Sequence, residues 1–240
     1  MFNTTKWSHA ICAAALVALC AGAATAATLF EDHFDGPLSP EWVSVLPNQW
    51  VSDGWLHCRK PVWDPPLDAV AVTHDGDQSW TDYEFSFIAD PVTSVQMALA
   101  YIRTNGSRPR TGASGLLTLG YRLDFHGDDQ SGYPNALVLY RDAGVLGEDL
   151  VLAAAVPGCI PAAPWHVDIQ AQGPRIRVAV NGIWLLDWTD PNPILSGGVG
   201  LGSIWTEEAR FDDVLVQTIP EPGAATLLAL GALTFLRRRG

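Results

Sequence analysis

Alternating hydrophobic and polar residues are the dominant pattern between the two ends of this 240-residue chain. In Asp82–Phe87, aromatic residues occupy every second position and polar residues fill the others. The same period of two recurs in Val95–Arg103, Leu117–Phe125 and Trp165–Ala171. This period is typical of strands with one buried face, and no segment outside the termini has a helical period. The sequence therefore predicts an all-β domain.

Two dipeptides predict tight turns between strands. Asp53-Gly54 and Asn181-Gly182 each lie between two short alternating runs. Both sequences favour two-residue hairpin loops, because both central positions need a positive φ. With about a dozen short strands and turns of this kind, we expect an antiparallel sandwich or jelly roll.

The first 26 residues have the organisation of a signal peptide. Lys6 is followed by the apolar stretch Ala10–Ala23, and Ala24-Thr25-Ala26 has the small-x-small form of a cleavage site. We expect export through the Sec translocon and removal of residues 1–26 by signal peptidase.

The last residues, 219–240, have three parts in a fixed order. A Pro-Glu-Pro triplet precedes the apolar run Gly223–Leu236, and an arginine cluster follows it; the residues are Pro220, Glu221, Pro222, Arg237, Arg238 and Arg239. As a helix, the apolar run would be roughly 21 Å long, shorter than a bilayer core of about 30 Å. The arginines would stay on the cytoplasmic side.

This tail resembles the PEP-CTERM sorting signal of Gram-negative bacteria. The resemblance implies processing by an exosortase, transient anchoring in the inner membrane, and delivery to the cell surface or extracellular matrix. An ordinary C-terminal membrane anchor is the alternative interpretation.

The charge of the chain argues against nucleic acid as a partner. The formal net charge is −12, and the domain without its two ends is more acidic still. An acidic domain with no basic stripe repels a phosphate backbone.

Two of the four cysteines, Cys58 and Cys159, lie outside the predicted signal peptide. In an oxidising compartment they predict a disulfide, and their spacing does not favour a zinc site. Two unpaired buried thiols are the alternative.

The order of several motifs gives a second resemblance, which spans nearly all of residues 27–218. Leu29–Gly36 comes first, Gln49–Leu56 and Trp80–Phe85 follow, and Gly198–Leu201 and Ala209–Val214 come last. Together they resemble the concanavalin A-like, laminin-G-like jelly roll. This family places many tryptophans in its core, so we expect core positions for Trp42, Trp50, Trp55, Trp80 and Trp165.

The catalytic strand of the family's glucanases, Glu-x-Asp-x-x-Glu, does not occur in this sequence. We therefore interpret the chain as a non-catalytic surface or matrix protein, with polysaccharide as its candidate ligand. A glycosidase-like enzyme with an unrecognised active site is the alternative. Trp63, beside prolines, and Trp205 are the candidate sugar-binding residues, because an exposed indole can stack on a sugar ring. Packing over an end of the sandwich is the alternative for both.

Four carboxylates are candidates for a structural calcium site. Many jelly-roll modules hold calcium where the first strand meets the last, and the resemblance points to Glu31, Asp32, Asp212 and Asp213. Alternation between Phe211 and Val214 predicts that one aspartate faces inward, where an unpaired carboxylate would be costly. Calcium, backbone amides or Arg210 could each satisfy it.

Overall fold

The structure is a computed structural model. It describes residues 26–44, 49–59, 69–74, 79–92, 97–104, 107–109, 116–118, 120–127, 135–142, 150–155, 160–204 and 208–219. Residues Thr28–Thr218 form one compact unit. The secondary structure described in this unit is entirely β, as the alternation predicted.

The strands pair into two large antiparallel sheets and one small sheet. In chain order they are β1 Thr28–Asp32, β2 Trp42–Ser44, β3 Gln49–Ser52, β4 Trp55–Arg59, β5 Ala69–His74, β6 Tyr83–Pro91, β7 Met97–Thr104, β8 Ser107–Pro109, β9 Leu116–Thr118, β10 Gly120–His126, β11 Leu137–Asp142, β12 Leu150–Ala154, β13 Trp165–Gln172, β14 Arg175–Val180, β15 Ile183–Thr189, β16 Gly198–Ile204 and β17 Glu208–Thr218.

The eight-stranded sheet has the order β15-β14-β13-β6-β17-β4-β3, and β1 also pairs with β17. The seven-stranded sheet has the order β12-β11-β10-β7-β16-β5-β2, and β8 pairs with β9. The first and last strands of the domain are therefore hydrogen-bonded neighbours. Sequence neighbours such as β6 and β7 lie in different sheets, so the chain crosses between the layers repeatedly.

The inward faces of the two large sheets form one core. In β6, buried residues alternate with partly exposed ones along the whole strand, and β13 follows the same rule. Side chains from both sheets enter one cluster that includes Phe87, Phe125, Trp165 and Phe211. Phe125 lies 6.3 Å from Phe87 and 6.2 Å from Trp165, centroid to centroid, so these aromatic rings join the two layers.

Both predicted hairpins are confirmed. Asp53 and Gly54 have φ values of 54° and 75°, and Asn181 and Gly182 have 51° and 78°. The predicted strand Leu117–Phe125 divides instead into β9 and β10, which belong to different sheets.

Candidate functional site

The outer face of the eight-stranded sheet carries an organised set of polar and aromatic side chains. Since successive residues of a strand point to opposite faces, the residues that alternate with the buried ones project away from the core. On β6 these outward residues include Glu84 and Asp90, and on β13 they include Gln170.

Five of these side chains, which we call the polar row, cross five neighbouring strands: Asp187, Arg177, Gln170, Glu84 and Gln217. The Gln170 amide donates to Glu84 Oε2 at 2.8 Å, and the Gln217 amide donates to Glu84 Oε1 at 3.3 Å. Arg177 donates to Gln170 Oε1 at 3.3 Å, and its Nε lies 3.8 Å from Asp187 Oδ2. These contacts hold the planar polar groups of the row in fixed positions on the sheet.

Trp184 lies beside the polar row, on the edge strand β15. The Arg177 guanidinium carbon lies 3.8 Å from the centroid of its ring, so a cation–π contact fixes the indole. Trp184 is nevertheless 45% exposed, and the adjacent Ile183 is 60% exposed. This end of the sheet therefore presents an immobilised aromatic ring to solvent next to amide and carboxylate groups.

Trp50 and Trp55 mark the opposite end of the same outer face. Trp50 stacks on the His57 ring, with centroids 4.9 Å apart and an interplanar angle of 9°. Arg210 lies over Trp55 at 4.7 Å, and its guanidinium donates to Asp90. Between β3 and β15 there are six strand spacings of about 4.8 Å, so the two aromatic ends are roughly 29 Å apart.

Two of the expected core tryptophans are therefore not in the core. Trp42, Trp80 and Trp165 are buried as predicted, whereas Trp50 is 39% exposed and Trp55 is partly exposed. On β4 the buried positions are Leu56 and Cys58, so alternation turns Trp55 outward. The alternating pattern of the sequence does not show on which face of the sheet Trp50 and Trp55 lie.

A second polar group, on β10, was not predicted from the sequence. Arg122, Asp124 and His126 alternate with the core residues of this strand, so they lie on the outer face of the seven-stranded sheet. Arg122 donates to both oxygens of Asp124, at 2.7 and 3.2 Å, and lies 4.4 Å from the Tyr140 ring centroid. In the sequence, these residues form the alternating pattern Arg122-x-Asp124-x-His126.

This β10 group does not form the carboxylate pair that a glycosidase needs. Asp124 is the one carboxylate among the described side chains on that face, and Arg122 occupies both of its oxygens. It is only 3% exposed. Asp124 and Arg122 therefore form a buried ion pair in which both carboxylate oxygens accept a hydrogen bond from the guanidinium.

The four predicted calcium ligands do not converge on one point. His33 lies between Glu31 and Asp213, with Nε2 2.7 Å from Glu31 Oε1 and Nδ1 2.9 Å from Asp213 Oδ1. Asp32 accepts hydrogen bonds from the Phe34 backbone at 2.9 Å and from the Trp42 indole at 2.8 Å. Within the described part of the chain, no group of three or more potential ligands could hold a metal ion. The carboxylates described here do not fit a calcium site.

A β-bulge explains why neither Asp212 nor Asp213 enters the core. Asp212 pairs with Ile88 and Leu215 pairs with Ser86, so β17 has one extra residue at this point. Phe211 and Val214 are both buried, whereas Asp212 is partly exposed and Asp213 is exposed. The simple alternation that predicted an inward aspartate fails at this bulge.

Several predicted residues lie outside the described part of the chain. They are the signal peptide up to residue 25, Trp63, Cys159, Trp205, and the tail residues Pro220, Glu221, Pro222, Arg237, Arg238 and Arg239. Cys58 is fully buried and forms no disulfide with another described residue. The Cys58–Cys159 bond therefore stays a prediction. In the described residues, no helix has the length and apolar character needed to cross a membrane.

Solved structures share this fold at low sequence identity. The carbohydrate-binding module CBM66 from Bacillus subtilis is 13% identical, with a TM-score of 0.56 over 74% of this chain and 96% of the module. The exoplasmic/lumenal domain of VIP36, bound to Ca²⁺ and Man3GlcNAc, is 11% identical, with a TM-score of 0.54 over 77% of this chain and 86% of that one.

The similar structures also include an enzyme. The catalytic domain of an endo-1,3-β-glucanase (laminarinase) from Thermotoga petrophila is 11% identical, with a TM-score of 0.54 over 80% of this chain and 98% of that one. No family model and no curated protein matches the sequence. The chain therefore has a fold that is used both by carbohydrate-binding domains and by a glucanase, and the fold alone does not choose between binding and catalysis.

Proposed function

We propose that the domain Thr28–Thr218 binds carbohydrate through the outer face of its eight-stranded sheet. The observation that carries this proposal is Trp184, which is 45% exposed and is held by Arg177 at the end of the polar row. An indole ring provides an apolar face for a sugar ring, and neighbouring amides and carboxylates provide partners for its hydroxyl groups. Carbohydrate binders among the similar folds support the proposal.

The arrangement favours a neutral glycan. The chain carries a net charge of −12, which would repel an acidic polysaccharide at long range. The polar row itself contains two carboxylates, two amides and one guanidinium. Such a mixture offers both donors and acceptors to hydroxyl groups, without a strong preference for a charged ligand.

A glycan array with the secreted protein, followed by titration calorimetry on any hit, tests the proposal. Trp184→Ala removes the stacking surface, and Gln170→Ala removes a planar amide from the row. We expect about five- to tenfold weaker binding for Trp184→Ala, because losing the stacking contact removes roughly 1–1.5 kcal/mol. Ile183→Ala is the matched control, since it shortens a neighbouring apolar side chain that is also exposed but is not aromatic. Equal affinities of Trp184→Ala and the parent protein would refute this site.

We infer in addition that the protein is exported and sorted to the cell surface or matrix. The order of a signal peptide in residues 1–26 and a PEP-CTERM-like tail in residues 219–240 supports this inference. The partners would be the Sec translocon, signal peptidase and an exosortase. Mass spectrometry of protein recovered from the cell exterior should show a mature chain that lacks residues 1–26 and Arg237–Arg239. Full-length protein held permanently in the inner membrane would contradict it.

A further inference from the structure

Three polar side chains form a hydrogen-bonded chain near the β3 edge of the outer face. Ser52 Oγ lies 3.3 Å from His57 Nε2, and His57 Nδ1 lies 3.0 Å from Glu208 Oε1. We propose that Ser52, His57 and Glu208 are a Ser–His–Glu site that hydrolyses small carboxylic esters. This proposal goes beyond carbohydrate binding and does not depend on it.

The pairing of three strands brings these residues together. In the register of the sheet, His57 on β4 lies opposite Trp50 on β3 and opposite Arg210 on β17. Ser52 is two residues after Trp50, and Glu208 is two residues before Arg210. Residues two apart share a face, so Ser52 and Glu208 are diagonal neighbours of His57 on the outer face.

The order of the contacts is the one that activates a serine. A carboxylate only accepts hydrogen bonds, so the Nδ1 atom that faces Glu208 carries a proton. In the neutral imidazole, Nε2 is then the acceptor, and the Ser52 hydroxyl can donate to it. The same relation of nucleophile, base and orienting carboxylate defines catalytic triads on unrelated folds. A Ser–His distance at the long end of hydrogen bonding is common in sites without substrate.

The surroundings hold the base and leave the nucleophile reachable. The side chains of His57 and Glu208 are 12% and 17% exposed, and Trp50 stacks on the imidazole. Arg59 lies 3.8 Å from the second oxygen of Glu208 and helps to fix the carboxylate. Ser52 is partly exposed. The histidine is therefore oriented from two sides, while its serine partner keeps partial access to solvent.

Backbone donors follow Ser52 directly. The next two residues, Asp53 and Gly54, form the tight turn, with φ values of 54° and 75°. Their N–H groups donate no hydrogen bond to another described residue. In acyl-transfer enzymes, the N–H of the residue after the nucleophile commonly stabilises the oxyanion. We assign this role to the N–H of Asp53.

The reaction balances without any cofactor. Ser52 Oγ attacks the ester carbonyl carbon while its proton passes to His57 Nε2, and a tetrahedral oxyanion forms. The bond to the leaving alkoxide breaks, and His57 returns the proton to it, which releases the alcohol and leaves an acyl-serine. Water then attacks this acyl group with the same assistance from His57, releases the carboxylic acid and restores Ser52. Glu208 is a positioning residue that orients the imidazole.

Hydrolysis of p-nitrophenyl acetate by the full chain tests the site. Ser52→Ala and His57→Gln should lower the enzymatic rate by about 100-fold or more. Ser86→Ala and His166→Gln are matched controls on the same outer face and should keep the parent rate. A fluorophosphonate probe should label Ser52, as located by mass spectrometry, and His57→Gln should abolish the labelling.

The positioning role of Glu208 needs a separate readout. Glu208→Gln should lower the rate and move the pH at which activity reaches half its maximum, and Glu208→Asp should restore part of both. A parent rate equal to that of Ser52→Ala, with no labelling of Ser52, would overturn the proposal and identify the three residues as a structural network only. Variants must keep the parent melting temperature. Hydroxylamine, which attacks the carbonyl carbon of an acyl-serine, should release the acyl group as a hydroxamate and restore the free Ser52 hydroxyl.

Discussion

The backbone of Gly197 lies so close to the backbone of Arg103 that no residue with a side chain would fit at position 197. A Cβ atom built on Gly197 would lie 2.3 Å from the carbonyl carbon of Arg103 and 2.6 Å from its oxygen. Gly197 also has a φ of 144°, a conformation that side chains rarely adopt. Its N–H donates to the Trp80 carbonyl at 3.0 Å, so the segment cannot easily move away.

Gly197→Ala should therefore destabilise the domain by about 2–4 kcal/mol, because the clash is with backbone and is added to the strain in φ. Urea unfolding measures the loss. Gly173→Ala is the matched control, since Gly173 also has a positive φ, 50°, but has nothing within 4 Å of a Cβ. It should cost about 1 kcal/mol. Similar losses for the two variants would show that the close approach to Arg103 does not matter.

The Arg103 side chain gives a second prediction. Its guanidinium is fully buried and donates to the carbonyls of Gly173, Ile194 and Thr81 at 2.6, 2.7 and 3.0 Å. Desolvation lowers the pKa of this guanidinium, although a group of this kind stays charged. Arg103→Met leaves three carbonyls without their donor and should cost about 3–5 kcal/mol.

Arg175→Met is the control for Arg103→Met. The Arg175 guanidinium donates to both oxygens of a carboxylate, Asp187, and half of its side chain is exposed. Exposed pairs contribute about 1 kcal/mol or less. In thermal unfolding, Arg103→Met should lower the melting temperature clearly more than Arg175→Met does. Equal melting temperatures of the two variants would show that the buried cation is dispensable.

The sequence predicted those features that depend on local patterns. Alternation located β6 and β13, and the turn dipeptides located both hairpins, because each signal is contained within a few neighbouring residues. The bulge after Asp212 was not predictable, since it depends on how β17 pairs with β6 rather than on the sequence of β17 alone.

The candidate sites were harder to predict for a similar reason. His57 and Glu208 are 151 positions apart, and only the pairing of β4 with β17 makes them neighbours. Trp50 could equally have faced the core, since period two defines two faces but does not say which one is buried. Arg122 and Asp124 alternate with hydrophobic residues in the sequence, but this alternation does not show that their side chains form an ion pair.

The Cys58–Cys159 disulfide is a third prediction. The Cys58 thiol is fully buried, and burial strongly raises its pKa, so it would be unreactive as a free thiol. A bond to Cys159 would close a loop of about 100 residues and stabilise the fold by about 4–5 kcal/mol on the chain-entropy estimate. The exported protein should be 2 Da lighter than its reduced form by mass spectrometry. Alkylation of two cysteines in denatured, unreduced protein would contradict the bond and favour two buried thiols.

The contact of His33 with Glu31 and Asp213 predicts how stability depends on pH. These two carboxylates accept hydrogen bonds from the imidazole and raise the pKa of His33 from 6.5 to about 9. The pKa is higher in the folded state, so the contact contributes fully below about pH 6.5 and is lost as the pH rises through about 9. The side chain is half exposed, so solvent screens the effect and the change in stability should be small.

Urea midpoints of the parent protein should fall between pH 6.5 and 9.5, and those of His33→Gln should fall less. His166→Gln, another exposed histidine beside a carboxylate, is the control and should follow the parent curve. Parallel curves for the parent and His33→Gln would show that His33 does not link the first strand to the last.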